Sequence, residues 1–148
     1  MKNLIITALP VGEFETEKIR DEYAAILKTF DGLGCSISTV APVSTMDSAR
    51  RSVLELSQQD PDLFIIVPLR GLSAELMEAA ALLSPAPCLV LPVKGRFALP
   101  SSTLAIGSLR RSKVPVELLY APPDHPEFLQ RLGFVVRAAR AYSQIRKC

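Results

Sequence analysis

Two hydrophobic spacings alternate along the whole chain: short runs in which nearly every residue is apolar, and longer stretches in which apolar residues return every three or four positions. The first spacing predicts strands and the second predicts amphipathic helices. Asn3 to Leu9 is the first run, and the Pro and Gly of the loop Pro10 to Glu15 are expected to stop it. Ile19, Tyr23, Ile26, Leu27 and Phe30 then share one helical face, ended by the segment Gly32 to Gly34. Cys35 to Val40 alternates apolar residues with Ser and Thr, which suits a strand nearer a sheet edge. Thr45 caps a second helix with Met46, Ala49, Val53 and Leu56 as its inner face, and Asp60-Pro61-Asp62 reads as a turn.

The next run, Leu63 to Val67, has no polar residue on either face. Such a strand must be covered on both sides, the condition of a central strand in a parallel sheet between helices. Beyond it, Ser73 is the expected N-cap of a helix through Leu76, Ala79, Ala80 and Leu83, closed by Pro85 and Pro87. Cys88 to Val93 is the fourth strand and Lys94 to Phe97 a loop. Ser101 or Ser102 is expected to cap a short helix carrying Leu104, Ala105 and Leu109. Val116 to Tyr120 is the fifth strand, and a Pro-rich turn leads to a last helix begun by Asp124 with Pro126 in its first turn. Strict alternation over five βα units implies an α/β fold: a three-layer, doubly wound parallel sheet in the flavodoxin-like order 2-1-3-4-5.

The 148 residues fit a single Rossmann-like domain, residues 1 to 148, with one sizeable core. Apolar residues make up 49% of the chain, yet no apolar run approaches the ~18 residues of a membrane span. The apolar run after Met1 and Lys2 is too short for a signal-peptide core, so the expected compartment is the cytoplasm. A formal charge of +2 gives no footprint for nucleic acid. Cys35, Cys88 and Cys148 are too far apart for a metal-ligand spacing, and the first two sit at strand starts, where buried structural thiols are expected.

In a sheet wound this way, ligands bind beyond the carboxyl ends of the strands where the winding reverses, here between the first and third strands. The loops in question are Pro10 to Glu15, Pro68 to Ser73 and Lys94 to Pro100. A dinucleotide site needs closely spaced glycines after the first strand, where this chain has LPVGEFE with one glycine. A flavin phosphate wants a Ser/Thr/Gly-rich loop at the same place, and that loop is absent. A phospho-acceptor receiver needs an Asp at the end of the third strand, where Pro68 and Leu69 stand. His125, the single histidine, has no second ligand candidate near it in sequence.

Arg70 carries more information. A guanidinium at the mouth of the central strand, beside Gly71 where backbone can approach a ligand, and near Leu72 and the helix-capping Ser73, suits an anion or a polyol hydroxyl. A surface arginine paired with a neighbouring acid is the competing reading. Glu13, Phe14 and Arg96 would share that rim, and Lys94 with them.

The strings DPDLFIIVPLRGLSAEL (Asp60 to Leu76), PAPCLVLP (Pro85 to Pro92) and FALPSS (Phe97 to Ser102) resemble the amino-terminal domain of the L-fucose and L-arabinose isomerases. That resemblance implies a non-catalytic domain that forms the outer wall of a sugar site and takes part in assembly. It places sugar contacts on Glu13, Phe14 and Arg70 to Ser73. It also implies that manganese or a similar divalent metal belongs to a following catalytic domain, so no cofactor is expected in this chain, nor activity of the chain alone. RAARAYSQIRKC resembles the helix after which such chains enter their second domain, so this sequence is expected to be either the first part of a longer protein or a stand-alone relative. Beside the isomerase reading stand a small-ligand module for a polyol or an anion and a structural interaction domain.

The last helix carries two apolar stripes where one is enough. Phe128, Leu132, Val135, Ala139 and Tyr142 make one, and Phe134, Ala138, Ala141 and Ile145 the other, roughly a quarter-turn away. One stripe is expected on the sheet. The second either packs on the first helix or meets a following domain or a neighbouring subunit, in which case the chain is an oligomer.

Overall fold

All six side chains of the strand Leu63–Pro68 are buried, because it lies in the middle of the sheet with helices on both sides. A computed structural model describes residues 4–71, 74–84, 86–93, 98–120 and 126–146. Within these, parallel strands β1 (Leu4–Val11), β2 (Cys35–Thr39), β3 (Leu63–Pro68), β4 (Cys88–Val90) and β5 (Val116–Leu118) pair in the order β2-β1-β3-β4-β5. Helices α1 (Glu17–Gly32), α2 (Met46–Ser57), α3 (Ala74–Leu83), α4 (Ala98–Arg111) and α5 (Pro126–Arg146) alternate with them. The architecture is the three-layer, flavodoxin-like α/β fold expected from the alternation.

Side-chain alternation along the strands feeds two cores. Ile6, Ala8, Ile65, Val67, Leu89 and Leu91 meet Tyr23, Ile26 and Phe30 of α1 and Phe128, Leu132 and Val136 of α5. Leu9, Val11, Phe64, Ile66, Cys88 and Val90 meet Val53 and Leu56 of α2, Met77 and Ala80 of α3, and Ala105 and Leu109 of α4. Thr7 breaks the apolar rule: it is fully buried, and its hydroxyl has no hydrogen-bond partner among the described residues. A buried hydroxyl without a partner loses its hydration for nothing. Thr7→Val is therefore expected to raise the unfolding free energy by about 1 kcal/mol. Urea denaturation checks this, and a loss of stability would mean that the hydroxyl finds a partner in solution.

Several boundaries differ from the sequence expectation, each for a local reason. β1 runs through Pro10 to Val11, although proline was expected to end it. Pro10 pairs in register with Val67 of β3, and its carbonyl accepts from Val43 N–H on the side where β2 has already stopped. The missing proline N–H thus falls where the ladder has no regular strand to serve. β4 and β5 are shorter than expected as regular ladders, but Leu91 and Val93 donate to Ile66 and Pro68, and Leu119 donates to Val90, which prolongs the pairing. Thr45 caps α2 as expected, accepting from Ser48 N–H at 3.1 Å.

The helix α4 begins at Ala98, so neither Ser101 nor Ser102 is its cap. Ser102 is fully buried and donates to the carbonyl of Ala98 at 2.7 Å, one helical turn back. The inner faces of α3 and α4 also shift: Met77, Ala80 and Ala81, and Ala105, Ile106 and Leu109, are buried, whereas Leu83 and Leu104 are 46% and 64% exposed. α3 is apolar almost all round, so its periodicity does not select a face, and small alanines win the tight contact between α2 and α4. The expected caps Ser73 and Asp124 and the residues Pro85, Lys94 to Phe97, His125 and Cys148 lie outside the described residues.

Asp62, read from the sequence as part of the turn into β3, is only 2% exposed. Its carboxylate accepts from Ile5 N–H at 2.9 Å and from the Ser143 hydroxyl at 2.5 Å, while its own N–H donates to Ile5 O at 2.8 Å. One side chain therefore ties the starts of β1 and β3 to the last turns of α5. Cys35 and Cys88 are buried free thiols. Burial pushes the Cys88 thiol up to about 12, against a smaller opposing effect of Ser84, so it stays protonated at neutral pH. Burial also raises the Cys35 thiol, with Arg140 pulling the other way.

Candidate functional site

The loop after β1 leaves the sheet at Gly12, whose φ of 112° is a conformation that L side chains rarely adopt. A Cβ there would stand 3.1 Å from Arg70 Cγ and 3.6 Å from Leu69 Cβ, so glycine lets the loop after β1 lie directly against the loop after β3. Gly12 N–H donates to Val43 O, and Leu69 N–H donates to Val11 O. These bonds fix both loops at the point where the sheet winding reverses.

From that base the chain turns sharply, with Glu15 N–H donating to Glu13 O at 3.0 Å. Thr16 then caps α1 by accepting from Ile19 N–H. The turn brings Glu15 to Arg70: Arg70 Nη1 and Glu15 Oε1 are 3.5 Å apart, with 41% and 38% of the two side chains exposed. The arginine expected at the crevice mouth stands there and spans the two loops. Gly71 is buried beside it.

Glu13 is exposed on the same loop, whereas Phe14 turns away toward α1. Its ring centroid lies 5.6 Å from that of Tyr23, and the Arg20 guanidinium sits 4.9 Å from the Phe14 centroid. Phe14 thus packs as part of the core rim on the α1 side. Tyr23 OH is hydrogen-bonded to Thr39 Oγ1, which in turn donates to Ala8 O. Burial raises the phenol of Tyr23, and the bond to Thr39 opposes that.

The structure therefore brings Glu13, Arg70 and Gly71 to one end of the sheet and places Phe14 at the edge of that group. Leu72, Ser73 and Arg96 lie outside the described residues. Glu15 and Gly12 are the additions. The signals for both were present: a single glycine two residues after a proline, and an acid in the same loop as the residues already singled out. Among the described residues no group of three or more His, Cys, Asp or Glu side chains could hold a metal ion, and no helix is long and apolar enough to cross a membrane.

No family model matches the chain, and no curated protein matches it. Among solved structures it compares with the Lac repressor dimer bound to operator and the anti-inducer ONPF, at a TM-score of 0.47 and 18% identity. The comparison covers 80% of this chain and 48% of that one, so this chain spans about half the length of the repressor chain. The resemblance to the L-fucose and L-arabinose isomerases is corrected by these findings, since neither a family model nor a curated protein of that kind matches the chain. The strings that suggested it are a buried central strand, its entering turn, a Pro-flanked fourth strand and the start of α4. Any sheet wound in this order needs such segments at such places.

Proposed function

We propose that this chain is a small-ligand binding module whose ligand is an anion, or a polyol carrying one, docked beyond the carboxyl ends of β1 and β3. The observation that carries this reading is the contact between Arg70 and Glu15. A half-exposed ion pair at 3.5 Å contributes little in water. An incoming phosphate or carboxylate can therefore take the place of Glu15 at small cost and bind the guanidinium, which the loops already hold in position. Gly12 supports the same reading, because its lack of a side chain lets the loop after β1 pack directly on Arg70 and so holds the guanidinium at the strand ends. The free thiols of Cys35 and Cys88 agree with a reducing compartment such as the cytoplasm.

Calorimetric titration with inorganic phosphate, a sugar phosphate and the corresponding uncharged sugar tests the reading. Binding of the two phosphates, weakened by about 1–3 kcal/mol in Arg70→Ala, is the expected result. Glu15→Gln is expected to tighten both, since it removes the internal competitor. Equal affinity in the wild-type chain and in Arg70→Ala would move the site elsewhere, and binding of the uncharged sugar alone would remove the anion from the reading.

A further inference from the structure

The sheet-facing stripe of α5 is buried at Phe128, Leu132, Val136 and Ala139. The second stripe is not covered by α1: Phe134 is 58% exposed, Ile145 is 77% exposed, and Ala138 and Ala141 are exposed between them. Tyr142, expected on the sheet-facing stripe, is instead 42% exposed at its border. Next to this strip an apolar groove of about 290 Å³ runs under α5, lined by Leu63, Cys88, Val116, Val135, Ala138 and Tyr142 among others. Ala138 and Tyr142 belong to both strip and groove, so the two form one apolar surface near the amino ends of β3, β4 and β5.

The strip has an internal symmetry that selects its occupant. Phe134, Ala138, Ala141 and Ile145 follow one another at spacings of four, three and four residues, and the order is large, small, small, large in either direction. At 100° per residue the four lie within about 60° of the helix circumference, which is a narrow seam of the coiled-coil kind. A two-fold axis passing beside Ala139 and Arg140, between the two seam alanines, maps this seam onto itself antiparallel. Phe134 then meets Ile145 of the second copy, and Ala138 meets Ala141, where the absence of bulk lets the two backbones approach closely. The charges fit the same operation. Arg137, whose guanidinium lies 4.6 Å from the centroid of its own Phe134 ring, stands on one flank of the seam, and the two-fold lays that flank beside the same flank of the second copy, where Gln144 rather than another cation is nearest.

We infer that α5 is the contact of a symmetric dimer in which a second copy of this chain lays its own α5 antiparallel across the seam and closes the adjoining groove. Because the axis is two-fold, each favourable contact occurs twice and the assembly closes without forming filaments. The contact lies at the end of the sheet opposite Arg70, so ligand binding and assembly are separate properties.

Sedimentation velocity of the full chain at micromolar to tens of micromolar concentration is expected to show a dimer. Phe134→Glu and Ile145→Glu are each expected to raise its dissociation constant about tenfold or more with an unchanged circular dichroism spectrum. Arg70→Ala is expected to leave assembly unchanged. Disulfide trapping tests the register without disturbing the seam: in a Cys148→Ser background, Ala138→Cys chains mixed with Ala141→Cys chains should form the mixed disulfide in preference to either like pair. A monomer throughout the range overturns the inference. So does a dimer insensitive to both glutamates, and so does trapping that favours like with like.

Discussion

Phe64→Ala is expected to lower the unfolding free energy by about 3–5 kcal/mol, the largest effect of any single truncation considered for this chain. Phe64 is 1% exposed and pairs in register with Thr7 of β1 on one side and Cys88 of β4 on the other. Its ring fills the core shared by α2, α3 and α4, so truncation leaves a cavity that packed helices on one side and a hydrogen-bonded sheet on the other cannot collapse. A domain of this size has roughly 5–15 kcal/mol in total, so the variant will sit near its unfolding threshold at room temperature. Chemical denaturation followed by circular dichroism gives the number. Phe64→Leu is a useful companion, because it keeps most of the apolar surface and should lose clearly less. A cost below about 1 kcal/mol for Phe64→Ala would mean that this core is loosely filled.

Asp62→Ala is expected to cost about 3 kcal/mol. The carboxylate accepts from Ile5 N–H and from the Ser143 hydroxyl in a site that is almost free of solvent, and bonds to an ionised acceptor are stronger than neutral ones. Alanine removes the acceptor and leaves both donors buried without it. Ser143→Ala alone should cost about 1 kcal/mol, since it removes one donor while the bond to Ile5 survives. The two losses should fall short of additivity in the double variant, because the serine has nothing left to lose once Asp62 is gone. Additive losses would separate Ser143 from the carboxylate, and a near-neutral Asp62→Ala would make the aspartate an ordinary turn residue.

These two residues also show how far the sequence could be read. Phe64 belongs to a run without polar residues, and such a run in a βα alternation has only one place to go, the middle of the sheet. The strand order followed from the same argument. Asp62 reads locally as the end of an Asp-Pro-Asp turn, and nothing near it in the chain announces burial; its reason for being inside is a serine 81 positions later. Pro10 misled in the same way, because proline stops a strand only if its N–H is needed, and that depends on how far the neighbouring strand extends. α3 has too many apolar residues for periodicity to choose a face, so the choice fell to the shapes of its neighbours. In the candidate site Arg70 was found from its position after the central strand. Glu15 was not, because a loop acid becomes a partner only once the two loops are brought side by side by Gly12. The isomerase resemblance failed for a further reason: its strings report the needs of the fold, and many proteins share those.

The bond between Asp62 and Ser143 also orders events in time. A ribosome delivers this chain from β1 onward, and the four earlier βα units are complete before the last turns of α5 exist. Until then the carboxylate of Asp62 lacks the Ser143 hydroxyl, and the face of the sheet formed by Ile6, Ile65 and Leu89 is covered by α1 alone. Until α5 is in place, this domain is an open half-sandwich with one apolar side bare, the condition in which chaperones bind and neighbouring chains stick. Arrival of α5 seats Phe128, Leu132 and Val136 on that side and brings the Ser143 hydroxyl to Asp62 at the starts of β1 and β3, so the closing step of this domain's folding waits for that helix.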